Sequence, residues 1–307
     1  MANRIPFVDA HVHLWDLGGP IRYSWLSPPF SNDGPNGSVE AIAVDYGVDD
    51  YLADAAKWNV VGMVHVDAGA DAAQALDETR WLQGMAEARG MPNGLVAFAA
   101  LDHPDVAALL ERQAGFANVR GIRQIVNWHT DPQRTYSAAD ATLNPEWERG
   151  FAALARHRLS FDLQCYPGQM GRIAQIAGRH PDVPVMINHM GMPVLSDPDG
   201  RSQWRHGMTA LASLPQVSVK ISGLGFIDRK WTVEAMRPLV LEAIELFGTN
   251  RAMFASDFPT DKLFADFDRC LGALDSITAD FSENERRDLF GRNAARLYRL
   301  DIPALSA

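Results

Sequence analysis

Phe7-Val8-Asp9-Ala10-His11-Val12-His13-Leu14-Trp15 alternates with period two. In an extended strand Val8, Ala10, Val12 and Leu14 share one face, and Asp9, His11 and His13 share the other. Many more apolar runs follow, so the polar face is expected to line a barrel interior rather than meet water. Two imidazoles at i and i+2 then stand roughly 6–7 Å apart on one face. That spacing suits a metal ion, or a substrate oxygen held between two donors. An isolated His-x-His is more often a pair satisfied in a polar core; here the residues downstream weigh toward function.

The runs recur at 60–67, 95–101, 119–127, 160–166, 183–189, 217–223 and 251–257. Helical spacing of apolar residues separates them at 71–89, 104–116, 145–157, 169–179, 233–247 and 263–277. Ser282-Glu283-Asn284-Glu285 reads as a capping box opening a final helix to about Tyr298. With the first strand this makes eight βα units, which implies parallel pairing through helical crossovers. Eight units favour a closed (β/α)8 TIM barrel over an open doubly wound sheet. No Gly-x-Gly-x-x-Gly follows the first strand, which weakens a dinucleotide-binding reading. No linker, repeat or composition break divides residues 1–307, so one α/β domain is expected. Residues 15–50 are rich in Pro, Gly and aromatics without periodicity, as in a lid over a pocket or a segment packed on a helix.

The 307 residues are 47% hydrophobic, ample for a large core. A net charge of −10 leaves no basic stripe for nucleic acid. No apolar run approaches a membrane span. Cys165 and Cys270 are too few for a disulfide scaffold or a thiolate zinc site. MANRIPFVDA enters a strand at once, so no leader is expected and the cytoplasm is the expected compartment. A small-molecule substrate is expected, without nucleic acid or membrane; assembly into a homo-oligomer is left open.

Catalytic residues of such barrels close the C-terminal ends of the strands. Those ends offer His11 and His13; His65 and Asp67; Arg123 and Asn127; Asp162 and Gln164; Asn188 and His189; Ser218, Lys220 and Ser222; Ser256 and Asp257. Asp67 either joins the site or caps the next helix, and His65 reads as a polar core residue. Arg123 in an apolar strand needs a substrate anion or a carboxylate partner, Asp162 being one candidate. Lys220, one of four lysines, either serves the site or pairs structurally with Asp9. His189 and Asp257 each close an apolar run just before Gly or Pro. Barrel closure sets Asp257 beside His11 and His13.

Asp9-Ala10-His11-Val12-His13, Gly121-Ile122-Arg123, Phe161-Asp162-Leu163-Gln164, Ile187-Asn188-His189-Met190-Gly191, Val219-Lys220-Ile221-Ser222-Gly223, Phe254-Ala255-Ser256-Asp257-Phe258-Pro259 and the closing Leu289–Tyr298 resemble the amidohydrolase superfamily. The nearer resemblance is to its amidohydrolase-related branch, which holds 2-pyrone-4,6-dicarboxylate lactonase and sugar lactonases. The likeness runs from the first strand to the last helix. It implies a distorted (β/α)8 barrel that hydrolyses an ester, lactone or amide. It also implies that His11, His13 and Asp257 are the ligands of any metal, with His189 the strand-six histidine. Binuclear members bridge their metals with a strand-four lysine or glutamate and add a strand-five histidine; Arg123 and Gln164 stand there instead. One divalent metal, zinc the candidate, or none is therefore expected.

The expected reaction adds water to a lactone or other cyclic ester. Asp257 is the general base, and His11, His13 and His189 polarise the carbonyl directly or through one metal. Arg123 would clamp a substrate carboxylate. Trp15 and Trp25 would stack on the ring, and Gln164, Lys220 and Asp67 would complete the binding set. The alternatives are a metal-dependent non-oxidative decarboxylase of the same superfamily and an inactive binding barrel. The strand-five glutamine speaks against the first, and a carboxylate among three imidazoles against the second.

Overall fold

The computed structural model describes residues 5–305. Eight short strands, each followed by helix, lie in chain order in one parallel sheet. They are β1 (Phe7–Val12), β2 (Val60–Val66), β3 (Gly94–Phe98), β4 (Val119–Ile125), β5 (Ser160–Gln164), β6 (Val185–Ile187), β7 (Val217–Ile221) and β8 (Ala252–Phe254). The sheet closes on itself where Asp257 N donates to His11 O at 2.9 Å and His13 N donates to Phe258 O at 2.8 Å. This is the expected (β/α)8 barrel.

The helices are α1 (Val48–Asp54), α2 (Ala75–Arg89), α3 (Val106–Ala114), α4 (Pro145–Ala153), α5 (Pro167–Arg179), α6 (Gly200–Ala212), the single turn α7 (Leu224–Ile227), α8 (Val233–Phe247) and α9 (Phe267–Ile277). A last helical stretch runs from α10 (Glu283–Arg287) through a π turn, Asp288–Arg292, into α11 (Asn293–Leu297). Its start is the expected capping box: Ser282 Oγ accepts from Glu285 N at 3.3 Å, and Glu285 Oε2 accepts from Ser282 N at 2.9 Å. Helix α6 has no counterpart in the sequence reading. Its buried stripe is only Trp204, Met208 and Leu211 with two glycines. A Cβ on Gly207 would lie 2.6 Å from Met170 Sδ, so the glycine that weakens the pattern is what lets α5 and α6 approach.

Val8, Ala10, Val64, Val66, Val96, Met186 and Met253 fill the barrel's lower interior, and Tyr298 and Ile302 pack against the same cluster. Phe7 and Val12 instead belong to the large cluster shared with the helices. Val12 has therefore changed face relative to Ala10, which corrects the strict alternation read from the sequence. The reason is a bulge: Asp9 pairs with Met63 and Val12 with His65, so Ala10 and His11 together oppose Val64. One extra residue flips everything beyond it. Asp9 turns to α1, where Tyr51 donates to Oδ2 at 2.9 Å, while His11 and His13 turn to the barrel mouth.

Residues 15–50 are packed and locally turned, with Tyr23, Leu26 and Ile42 buried. Among the described residues no helix is long and apolar enough to cross a membrane.

Candidate active site

At the C-terminal mouth the observed strands stop earlier than the apolar runs, and the site residues stand just past the ladders. β6 ends at Ile187 and β8 at Phe254. His189 and Asp257 follow with φ of +51° and +61°. A left-handed conformation costs a side-chain-bearing residue about 1–3 kcal/mol, and it is held here by surrounding structure. Asp257 N bonds His11 O, and Asp261 N bonds Asp257 O at 3.1 Å. A Cβ on Gly223 would lie 2.8 Å from His189 Nδ1, so glycine at the end of β7 makes room for the ring.

Three imidazoles converge on one carboxylate oxygen. Asp257 Oδ1 lies 3.4 Å from His11 Nε2, 3.3 Å from His13 Nε2 and 3.9 Å from His189 Nε2. His11 and His13 bring their Nε2 atoms within 3.2 Å of each other. Two of the rings are oriented from behind: His13 Nδ1 lies 2.8 Å from Val66 O, and His189 Nδ1 lies 3.0 Å from Ser222 Oγ. A carbonyl only accepts, so His13 in its neutral form carries its proton on Nδ1 and leaves a lone pair on Nε2. Burial is the first cause holding His13 down to about 3 and His189 to about 4, and it holds His11 well below its ordinary value. Burial also raises the Asp257 carboxyl, against the opposing pull of His189, Arg123 and Lys220.

Both Asp257 oxygens and His11 Nδ1 are buried without a hydrogen-bond partner. Buried polar atoms left so are the mark of a seat for a cation or a reactant. The donor set fits one divalent ion: ligating atoms of His11, His189 and Asp257 lie within 4.8 Å of one another. The expected set is also compact: His13 Nε2 lies 3.2 Å from His11 Nε2 and 3.3 Å from Asp257 Oδ1, with His11 Nε2 and Asp257 Oδ1 3.4 Å apart.

Beside the triad lies a cavity of about 220 Å³. His13, His189, Asp257, Arg123 and Gln164 line it, as does Trp25. Asn36, Tyr136, Phe226 and Thr260 do so as well, and nothing in their aperiodic surroundings marked them beforehand. Trp15 stands behind the wall: it is buried, donates from Nε1 to Val44 O at 2.6 Å and meets Trp25 edge-on at 5.7 Å. It supports Trp25, where direct stacking on substrate was expected. Ser222 shares an alternation face with Lys220 in the sequence, a visible position whose role only the ring of His189 reveals.

The other polar strand residues pair differently from the sequence expectations. Arg123 Nε bonds Asp67 Oδ2 at 2.5 Å, its Nη2 bonds Asp67 O, and its Nη1 bonds Gln164 Oε1 at 3.1 Å. Asp67, outside the cavity wall, is the arginine's partner, so the pair with Asp162 is corrected. Lys220 Nζ bonds Asp162 Oδ2 at 2.5 Å, fully buried, with the Tyr298 hydroxyl 2.9 Å from both Asp162 oxygens. Its partner is thus Asp162 rather than Asp9, and it too stands outside the cavity wall. His65 is a core residue, with Nε2 3.3 Å from Leu14 O.

Comparison with known proteins agrees with this architecture. The family model described as Amidohydrolase matches residues 8–300. An uncharacterised Sinorhizobium fredii protein, y4mH, is 46% identical over 301 residues, 96% of this chain and 99% of its own. An L-fucono-1,5-lactonase of Burkholderia ambifaria is 27% identical over 309 residues, 97% of each chain. Among solved structures, an amidohydrolase from Burkholderia multivorans with bound zinc superposes with a TM-score of 0.79 at 24% identity, covering 96% of this chain and 99% of that one.

Proposed function

The chain belongs to the amidohydrolase family, and on that premise we propose that it adds water to the carbonyl of a lactone or similar cyclic ester. The observation that carries this reading is the convergence of three imidazole nitrogens on the unpartnered Oδ1 of Asp257 at the wall of a ring-sized cavity. The L-fucono-1,5-lactonase relative supports the lactone in particular.

Asp257 takes a proton from water as its oxygen adds to the carbonyl carbon. It returns that proton to the ring oxygen as the carbon–oxygen bond breaks, leaving a hydroxy acid. Burial raises the Asp257 carboxyl above its ordinary range, which makes its ionised form a stronger base. The neutral rings divide their work by their rear partners. His13 presents a lone pair on Nε2 and cannot donate to an oxyanion. His189 faces the Ser222 hydroxyl, which can donate as well as accept, so its Nε2 can carry a proton toward the developing negative charge. A divalent metal held by His11, His189 and Asp257, zinc being suited to nitrogen and carboxylate donors, would take the His189 Nε2 lone pair and would supply Lewis-acid polarisation of the carbonyl in place of that donated proton. Trp25 walls the ring, and the segment 15–50 serves as the roof. Gln164 and Arg123 offer hydrogen bonds from a pair whose charge Asp67 balances.

The test is a panel of aldonolactones and pyrone carboxylates, followed by acid release or ring absorbance, with zinc supplied and after chelation. Hydrolysis of no member above the buffer rate by folded, zinc-supplied protein would discard the reading.

A further inference from the structure

Two residues from separate loops meet over the cavity. Asn36 comes from the 15–50 segment and Tyr136 from the loop after β4, and both line the same wall as His189 and Asp257. Tyr136 Oη donates to Asn36 Oδ1 at 2.7 Å. The two loops are tied again where Gly34 N donates to Gln133 Oε1 at 3.0 Å. Tyr136 N is anchored on Asn127 O at 3.1 Å, and Arg229 Nη2 reaches Pro35 O at 3.4 Å. The pair is therefore placed by contacts on both sides.

With that bond made, the Asn36 amide nitrogen keeps two N–H donors with no partner among the described residues. Tyr136 Oη keeps a lone pair. Burial holds the phenol un-ionised, so neither group brings charge. Apart from any metal at the triad, the other lining side chains offer a carboxylate no unpaired cation. Arg123 is the one arginine or lysine among the lining residues and is already paired with Asp67. A substrate carboxylate would be desolvated here without an uncompensated partner. A ring hydroxyl can donate to Tyr136 Oη and accept from Asn36 Nδ2, and the flat rings of Trp25 and Phe226 line the same cavity.

We infer that Asn36 and Tyr136 determine specificity by reading hydroxyl groups on the ring, so that the site takes neutral polyhydroxylated rings in preference to carboxylated or bare ones. The inference rests on the lactone reading for the identity of that ring. A site built around hydroxyls rejects a ring lacking them because its own polar groups are then left unpaired.

Lactams of the same ring size resist hydrolysis and separate binding from turnover. Calorimetry with the full chain compares D-gluconolactam, the bare δ-valerolactam and a 2-pyrone carboxylate. Wild type should prefer gluconolactam over valerolactam by about tenfold or more. That ratio should fall to about threefold or less in Tyr136→Phe and, independently, in Asn36→Ala. Equal affinity for the two lactams in wild type overturns the inference without any variant. So does tighter binding of the pyrone carboxylate, or an unchanged ratio in both variants. Hydrolysis of D-gluconolactone is followed in the same preparations. A lactam preference that depends on the pair, with no turnover of D-gluconolactone or of any other member of the lactone panel, upholds the hydroxyl-reading pair and removes the lactonase reading.

Discussion

Arg123 Nε and Asp67 Oδ2 stand 2.5 Å apart, and each side chain is only 4% exposed. The guanidinium that lines the cavity is thus one half of a buried ion pair, further fixed by the Asp67 carbonyl and Gln164. Removing one partner from such a pair strands the other's charge, at about 3–5 kcal/mol.

Arg123→Met should accordingly lower the thermal midpoint markedly, in addition to any effect on substrate binding. Adding Asp67→Asn should recover much of that loss, because no charge is then left unpaired. A double-mutant cycle read by denaturant unfolding checks this. An Arg123→Met protein of wild-type stability, with a raised KM confined to acidic substrates, would return Arg123 to the role of carboxylate clamp.

For the metal, at most one ion per chain is expected after dialysis against excess zinc and elemental analysis. His11, His189 and Asp257 make one seat. The strand positions from which a second would be held carry Arg123 and Gln164, which bond each other at 3.1 Å. Two ions per chain would refute this. Full activity after chelation would leave His189 as the imidazole able to polarise the carbonyl itself, since His13 is committed to Val66 O.

Glu78 gives a stability prediction independent of the chemistry. It is buried in α2, accepts from Ala68 N at 3.1 Å, and is pushed from its ordinary 4.5 up to about 8 by burial and then by Asp67. A carboxyl whose folded pKa is raised stabilises most while protonated. Its contribution is full below the unfolded value near 4.5 and is lost as pH rises through about 8. Glu78→Gln keeps the shape and abolishes the titration. The variant's midpoint should therefore gain on wild type steadily between pH of about 5 and about 9. A constant difference across that range would show that Glu78 is ionised in the folded protein.

What the sequence made legible is what repeats or breaks a repeat. The eight runs and their helices give the barrel, and the polar residues closing β1, β6 and β8 give His11, His13, His189 and Asp257. Pairing across the barrel is another matter. Arg123 and Lys220 each had more than one strand-end carboxylate to choose from, and residue type alone does not single out Asp67 and Asp162, the partners that the folded barrel brings to them. The bulge opposite Val64 is invisible because Ala10 and His11 fit either face locally. Asn36 and Tyr136 come from aperiodic loops, where position is set by contacts made only after folding.

The last prediction concerns Asp257 as base. Asp257→Asn removes the proton acceptor and keeps the outline, so turnover should fall by about 10²–10⁴-fold. Stability should move the other way. Burial raises the Asp257 carboxyl, so the folded state resists its ionisation, and stability drains as pH rises through that raised value. The uncharged amide escapes this, and the variant should unfold at an equal or higher temperature than metal-free wild type in mildly alkaline buffer. In wild type, metal-free activity should rise with pH along a limb displaced above the ordinary carboxylate range. No fall near neutrality should come from His13 or His189, which burial holds to about 3 and about 4. A pH profile of kcat/KM and a thermal scan of both proteins measure each part. Near wild-type turnover in Asp257→Asn would remove the base from the mechanism, and a lower midpoint would show that the carboxylate is instead held ionised by a partner in the folded site.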